Sequence, residues 1–243
     1  MKKVIFIFLN LVFALSVFTA CSNEEQTLSF YNESHTFLMD SDSKNAFAAE
    51  MDSKFDAEAQ KKLSEEELAQ LLEQLVFAGE DKQDAIQELA DHDYYLYNPK
   101  QGSVPLMESE DAVLMGPCIL YSPADQTWIV CFGGNWVNDN WKTMTSGDKD
   151  EYGIRYEFAQ NPACSCEDAY FKITDQNNEN AIVTRHRGGT LEYADGFRLN
   201  DEVKGFFNKS YIGYRWFGYL IYDSEFANLD GRVVGYYIHN YEE

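Results

Sequence analysis

Leu114-Met115-Gly116-Pro117-Cys118-Ile119-Leu120-Tyr121 and Thr127-Trp128-Ile129-Val130-Cys131-Phe132 are apolar runs of strand length around Ser122-Pro123-Ala124-Asp125-Gln126, a polar break containing Pro. Two such runs around so short a break predict a β-hairpin. If Tyr121 is aligned with Trp128, the numbers of every facing pair add to 249, and Cys118 faces Cys131. Facing residues of antiparallel strands lie close enough for a disulfide when the pair is of the narrow type. A slip of one residue would put the two cysteines on opposite faces, so the expected Cys118–Cys131 bridge is also an expectation about register.

The same pattern continues downstream. Tyr152, Ile154, Tyr156 and Phe158 alternate as in a half-buried strand. Ala169 to Thr174 and Ala181 to Arg185 flank the polar stretch Asp175 to Asn180, a second hairpin signal. Tyr211 to Tyr222 and Arg232 to Tyr241 flank a turn that ends in Asp230-Gly231. Strands without helical patterns between them predict an antiparallel meander over 94–243, closed as a barrel or packed as a sandwich.

Upstream the composition changes. Asp40 to Asp93 holds sixteen acids and five bases, with no Trp or Tyr. Ser64-Glu65-Glu66-Glu67 has the form of a capping box, and Leu68, Leu71, Leu72, Leu75 and Val76 follow at helical spacing as far as a stop at Gly79. A second helix is predicted from about Asp81 to Ala90, with Ala85, Ile86, Leu89 and Ala90 on one face. Phe47, Met51 and Phe55 step by four and predict a further amphipathic turn or two. These stripes either dock a partner or pack on the chain's own strands. The expected class is α+β: residues 40–93 as an acidic helical segment before the β domain, and residues 21–39 as a tether with a possible first strand.

The N-terminus carries an address. Lys2 and Lys3 precede an apolar stretch from Val4 to Phe18, and small residues lead to Cys21. An apolar stretch of this length, interrupted by Asn10, falls short of the roughly 20 residues of a membrane span and fits a signal peptide over 1–20. With Phe18-Thr19-Ala20-Cys21, it resembles the signal and lipobox of a bacterial lipoprotein, although Phe18 stands where such boxes usually carry Leu. The resemblance implies cleavage before Cys21 and attachment through acyl chains, palmitate included, on that cysteine. Two or more chains would anchor it stably. Ser22 in place of Asp implies the outer membrane. Ser22-Asn23-Glu24-Glu25 is similar to the acidic tag by which Bacteroidota send lipoproteins to the cell surface, and reads otherwise as a solvated tether.

Charge excludes some partners. Loss of Lys2 and Lys3 takes the net charge from −22 to −24. Nucleic acid is not expected as a partner, because phosphate recognition needs a basic footprint. With Cys21 lipidated, Cys118, Cys131, Cys164 and Cys166 remain, an even number in an oxidising location, with the last two unassigned. The step in Cys164-Ser165-Cys166 is wrong for a zinc site. A Cys–His nucleophile with His186 or His239 has no local motif to support it. Arg185-His186-Arg187 forms either a small cationic spot for a carboxylate or a solvated strand end. Asp40-Ser41-Asp42 and Asp175 to Glu179 echo a calcium loop without its Gly and bidentate Glu, so calcium is a minor expectation and no cofactor is the main one.

The stretch most like a ligand surface runs from Gly133 to Trp141. Trp136 and Trp141 supply flat apolar faces, and Asn135, Asn138 and Asp139 supply hydrogen bonds, the combination that sugar recognition needs. The competing reading puts both Trp in the core and the Asn residues in turns. Three function classes follow. The first is a noncatalytic binding lipoprotein for a glycan or small polar ligand, the second an acidic inhibitor or immunity-type protein that binds a basic protein, and the third a secreted hydrolase.

Overall fold

The computed structural model describes residues 29–77, 82–98, 112–137, 150–158, 164–175, 181–190, 194–199, 202–204, 209–211 and 214–240. The chain begins with strand β1 (Ser29–Met39), followed by helices α1 (Ser41–Lys54), α2 (Glu65–Phe77) and α3 (Lys82–Ala90). The strands that follow are β2 (Tyr95–Tyr97), β3 (Ala112–Ser122), β4 (Thr127–Trp136), β5 (Asp150–Phe158), β6 (Ser165–Thr174), β7 (Ala181–Thr190), β8 (Ala194–Leu199), β9 (Glu202–Lys204) and β10 (Lys209–Tyr211). Last come β11 (Arg215–Tyr222), a 3-10 turn (Ser224–Asn228) and β12 (Gly231–Asn240). The class is α+β, and every strand pairing is antiparallel.

The sheets do not close into a barrel. Six strands run in the order β2-β3-β4-β11-β6-β7 and four in the order β1-β12-β5-β8, with β9 and β10 as a separate pair. Rings interlock between the two large sheets: Tyr152 of β5 lies 5.0 Å from Phe171 of β6, and Tyr237 of β12 lies 4.7 Å from Trp216 of β11. This is the sandwich solution. Simple meander order holds for β2-β3-β4 and for β6-β7 but not beyond. β11 inserts between β4 and β6, whereas β12 inserts between β1 and β5. The turn ending at Asp230-Gly231 therefore carries the chain from one sheet to the other instead of closing a hairpin. The aromatic content of both runs suits either arrangement, so local pattern cannot choose between them.

The first hairpin has the expected register. Tyr121 faces Trp128 and Cys118 faces Cys131. Beyond Cys118 the pairing slips by one, and Met115 faces Gly133. The slip falls at Gly116, whose φ of 85° lies in the left-handed region that favours glycine, which is how a strand takes in an extra residue. Gly134 matters for a different reason: a Cβ there would stand 2.4 Å from Cζ2 of Trp216, so only glycine leaves room for that indole. The second hairpin pairs Thr174 with Ala181 and Tyr170 with Arg185, flanking the polar stretch anticipated above.

Two helices cover the outer face of the six-stranded sheet. Leu68, Leu71, Leu72, Leu75 and Val76 of α2 and Ala85 and Leu89 of α3 share one apolar cluster with Leu120, Ile129, Phe217 and Tyr219 of the sheet. The capping box forms: Glu67 accepts from the backbone N–H of Ser64 at 2.8 Å, and the Glu67 N–H donates to Oγ of Ser64 at 3.3 Å. Helix α1 takes another place. Its Phe47, Ala48 and Met51 join the core between the sheets, and Asp40 caps its start by accepting from Asp42 and Ser43. The apolar stripes thus pack on the chain's own strands. Residues 29–39 belong to the β domain too, because β1 pairs along β12.

Candidate functional site

The Gly133–Trp141 stretch divides where β4 ends. Trp136 is 2% exposed, edge-on to Tyr237 at 5.7 Å, so its ring is part of the core. Its backbone N–H donates to the carbonyl of Tyr214 at 3.0 Å, which ties the strand end to the start of β11. Asn135 is half-buried, and its Nδ2 donates to the carbonyl of Trp136 at 3.0 Å. Val137, the residue after the end of β4, is 52% exposed. Asn138, Asp139 and Trp141 lie outside the described residues, as does Cys21. The structure therefore gives Asn135 and Trp136 a place at the rim and interior of the sandwich.

The four cysteines fall on two sides of one sheet. Cys131 is buried in the cluster beneath α2 and α3, with Cys118 packed half-buried against it. The thiol of Cys131 lies 3.5 Å from the carbonyl of Cys118. Interaction with the Cys131 thiol pulls the Cys118 thiol below its ordinary range, with burial acting against it and the charge of Lys82 adding to it. Cys131 is pushed up, first by burial and then by the same contact. Cys164 and Cys166 face the other way, into the core between the two sheets. All four are thiols in this structure.

Cys164 belongs to a polar corner that sequence reasoning missed. Burial, followed by its contact with Asp223, pushes this thiol up and keeps it protonated, which removes it as a nucleophile. Asp223 also accepts from the backbone N–H groups of Ser165 and Glu225, each at 3.0 Å, so it holds the 3-10 turn to the start of β6. Lys44 of α1 reaches into the same corner and is fully buried. Its Nζ donates to the carbonyls of Phe226 at 2.8 Å and Leu229 at 2.5 Å and sits 4.9 Å from the Phe226 ring centroid. Burial lowers its pKa to about 8 against the pull of Asp230, Cys164 and Asp40. A visible signal was there: Lys44 stands three residues before Phe47, on the apolar stripe of α1. A lysine on such a stripe buries its stem and carries its ammonium to an acceptor.

No protein-family model, curated protein or solved structure matches this chain.

Other candidate groups serve the fold. Arg185 pairs with Glu65 and Glu66 of the first turn of α2 and lies 5.4 Å from the Tyr170 ring centroid. The carboxylates that Arg185 holds are thus the chain's own, and the side chains of His186 and Arg187 lie outside the described ones. His92 Nδ1 lies 2.8 Å from the carbonyl of Lys61. Asp40, from the first calcium-like run, is a helix cap. Among the described residues no group of three or more His, Cys, Asp or Glu side chains is placed to hold a metal ion. None of the described helices is long and apolar enough to cross a membrane.

Proposed function

We propose that the protein is a membrane-anchored extracytoplasmic lipoprotein with a noncatalytic binding role, taking a glycan or small polar ligand through the segment that follows Trp136. The observation that carries this reading is the change from the buried Trp136 to the exposed Val137. The strand end that precedes Asn138, Asp139 and Trp141 in the chain is held by the Tyr237 ring and by the Tyr214 carbonyl. Binding residues on loops positioned by a rigid scaffold are a recurrent arrangement. In this reading Trp136 anchors the segment, and Trp141 supplies the stacking face beside Asn138 and Asp139. The leader and Cys21 support anchoring through acyl chains, Ser22 supports the outer membrane, and the Ser22–Glu25 tag supports its surface-exposed face over the periplasmic one.

The test is titration of the leader-free protein with a panel of neutral and acidic oligosaccharides by calorimetry, with thermal melts run alongside. Trp141→Ala should weaken binding at least about fivefold and leave Tm unchanged, since stacking contributes about 1 kcal/mol or more. Trp136→Ala should instead lower Tm. Unchanged affinity in Trp141→Ala, or no binding to any member of the panel, overturns the reading. A salt-sensitive complex with a cationic protein would favour the acidic-inhibitor alternative instead.

A further inference from the structure

The four non-lipidated cysteines sort by geometry into one pair that can bridge and two that cannot. Cys118 and Cys131 are direct partners on adjacent strands, and the Cys131 sulfur lies 3.5 Å from the Cys118 carbonyl oxygen. Cross-pairing is blocked twice over. β4 and β6 are separated by β11, which puts them about 10 Å apart. In addition, Cys131 faces the helices while Cys164 and Cys166 face the second sheet. A disulfide needs Cβ atoms roughly 3.5–4.5 Å apart. Cys164 and Cys166 fail that requirement between themselves as well. Ser165 between them is in extended strand conformation, so their Cα atoms are roughly 6.6 Å apart with side chains nearly parallel.

We propose that this protein carries one disulfide, Cys118–Cys131, formed on export beneath the helical layer, and that Cys164 and Cys166 stay as buried thiols. The proposal rests on the extracytoplasmic reading for its oxidant, a protein or small-molecule disulfide of that compartment. Cys118, the partly exposed member of the pair, attacks the oxidant's disulfide as thiolate and expels one thiol. While the chain is still folding and the helical layer does not yet bury it, Cys131 as thiolate then attacks the Cys118 sulfur of the mixed disulfide and releases the second. Two protein thiols are oxidised and one external disulfide is reduced to two thiols, so electrons and protons balance. The closed loop of 14 residues constrains the unfolded chain.

The experiment compares two samples of the full chain, one isolated from membranes with thiols trapped at once by N-ethylmaleimide, the other reduced and then reoxidised with glutathione disulfide. Chymotryptic cleavage after Tyr121 and Trp128 separates Cys118 from Cys131, and mass spectrometry under non-reducing conditions reads the linkage. A Cys118–Cys131 bridge in both samples, with Cys164 and Cys166 alkylated only in denaturant, is the expected result. A bridge in the reoxidised sample alone would uphold the pairing and overturn the extracytoplasmic reading. Cys164 or Cys166 in any bridge, or free Cys118 after reoxidation, would overturn the pairing itself. Reduction of the wild-type protein should lower Tm by about 6–12 °C. Cys118→Ser and Cys131→Ser should each lower it equally, with no added loss in the double variant; additive losses would count against a shared bond.

Discussion

The inner face of the six-stranded sheet presents Trp128, Phe171, Trp216 and Tyr222 to the core of the sandwich, whereas its outer face presents Leu120, Ile129, Cys131, Phe217 and Tyr219 to two helices. Rings dominate the first contact. They come from segments far apart in the chain and hold one another at set angles, as with Tyr237 stacked on both Trp216 and Tyr152. The second contact is made by the contiguous 65–90 segment, which brings short aliphatic side chains and fastens its edge with ion pairs. Lys172 meets Glu73 at 2.9 Å where both are about one-fifth exposed, while Arg185 meets Glu65 and Glu66 in the open. Exposed pairs contribute little, so helix attachment rests on the leucines. The inner face therefore depends on tight fit between distant strands, and the outer face on a local amphipathic pattern.

Substitutions on the two faces test that contrast. Trp216→Ala removes a fully buried ring beneath which Gly134 has no side chain, and should cost about 4–5 kcal/mol, with loss of cooperative unfolding in urea melts. Leu72→Ala should cost about 3 kcal/mol and leave one sharp transition. Equal costs, or a second transition in Leu72→Ala, would mean that the two faces do not differ in this way.

Lys44 tests the end of the inner core. A lysine that loses its proton near pH 8 when folded and near 10.5 when unfolded leaves the unfolded chain with more bound protons between those values. Stability then rises with pH across that window. Relative to Lys44→Met, which cannot titrate, the wild type should gain stability from pH 8 to pH 10. Above pH 10 the trend opposes it, because Tyr94, raised to about 12 mainly by burial, ionises first in the unfolded chain. Urea melts of both proteins at several pH values read the difference. A constant gap between them would show that Lys44 holds its proton throughout.

The smallest effect belongs to the outer layer. Ser64→Ala removes half of the capping box on α2 and should lower Tm by about 2–4 °C. The Ser64 contacts also hold the Glu67 carboxyl below its ordinary pKa. The difference between wild type and Ser64→Ala should therefore shrink as acid protonates that carboxylate. A difference independent of pH would place the cap's contribution in the serine hydroxyl alone.

Much of this was legible beforehand. The α2 stripe, its capping box, the period-two strand at Tyr152 and the Cys118–Cys131 register all depend on residues near one another in the chain. Lys44 was visible as an oddity on an apolar stripe, but its acceptors lie more than 180 residues away. The site candidates split for the same reason. Trp136 reads equally well as a stacking platform or as core, because a sequence shows that an indole is present and not which side of a strand end it turns to.

Local periodicity and turn chemistry were enough to determine the α+β class, the two hairpins and the helical layer. Only the tertiary structure decided that β11 and β12 part company into different sheets, that Trp136 belongs to the core, and that the cysteines divide across the six-stranded sheet. The physical reason is range. Backbone preferences and amphipathic patterns act over a turn or a hairpin, whereas sheet order and the direction of a side chain at a strand end depend on which distant surfaces exclude water together.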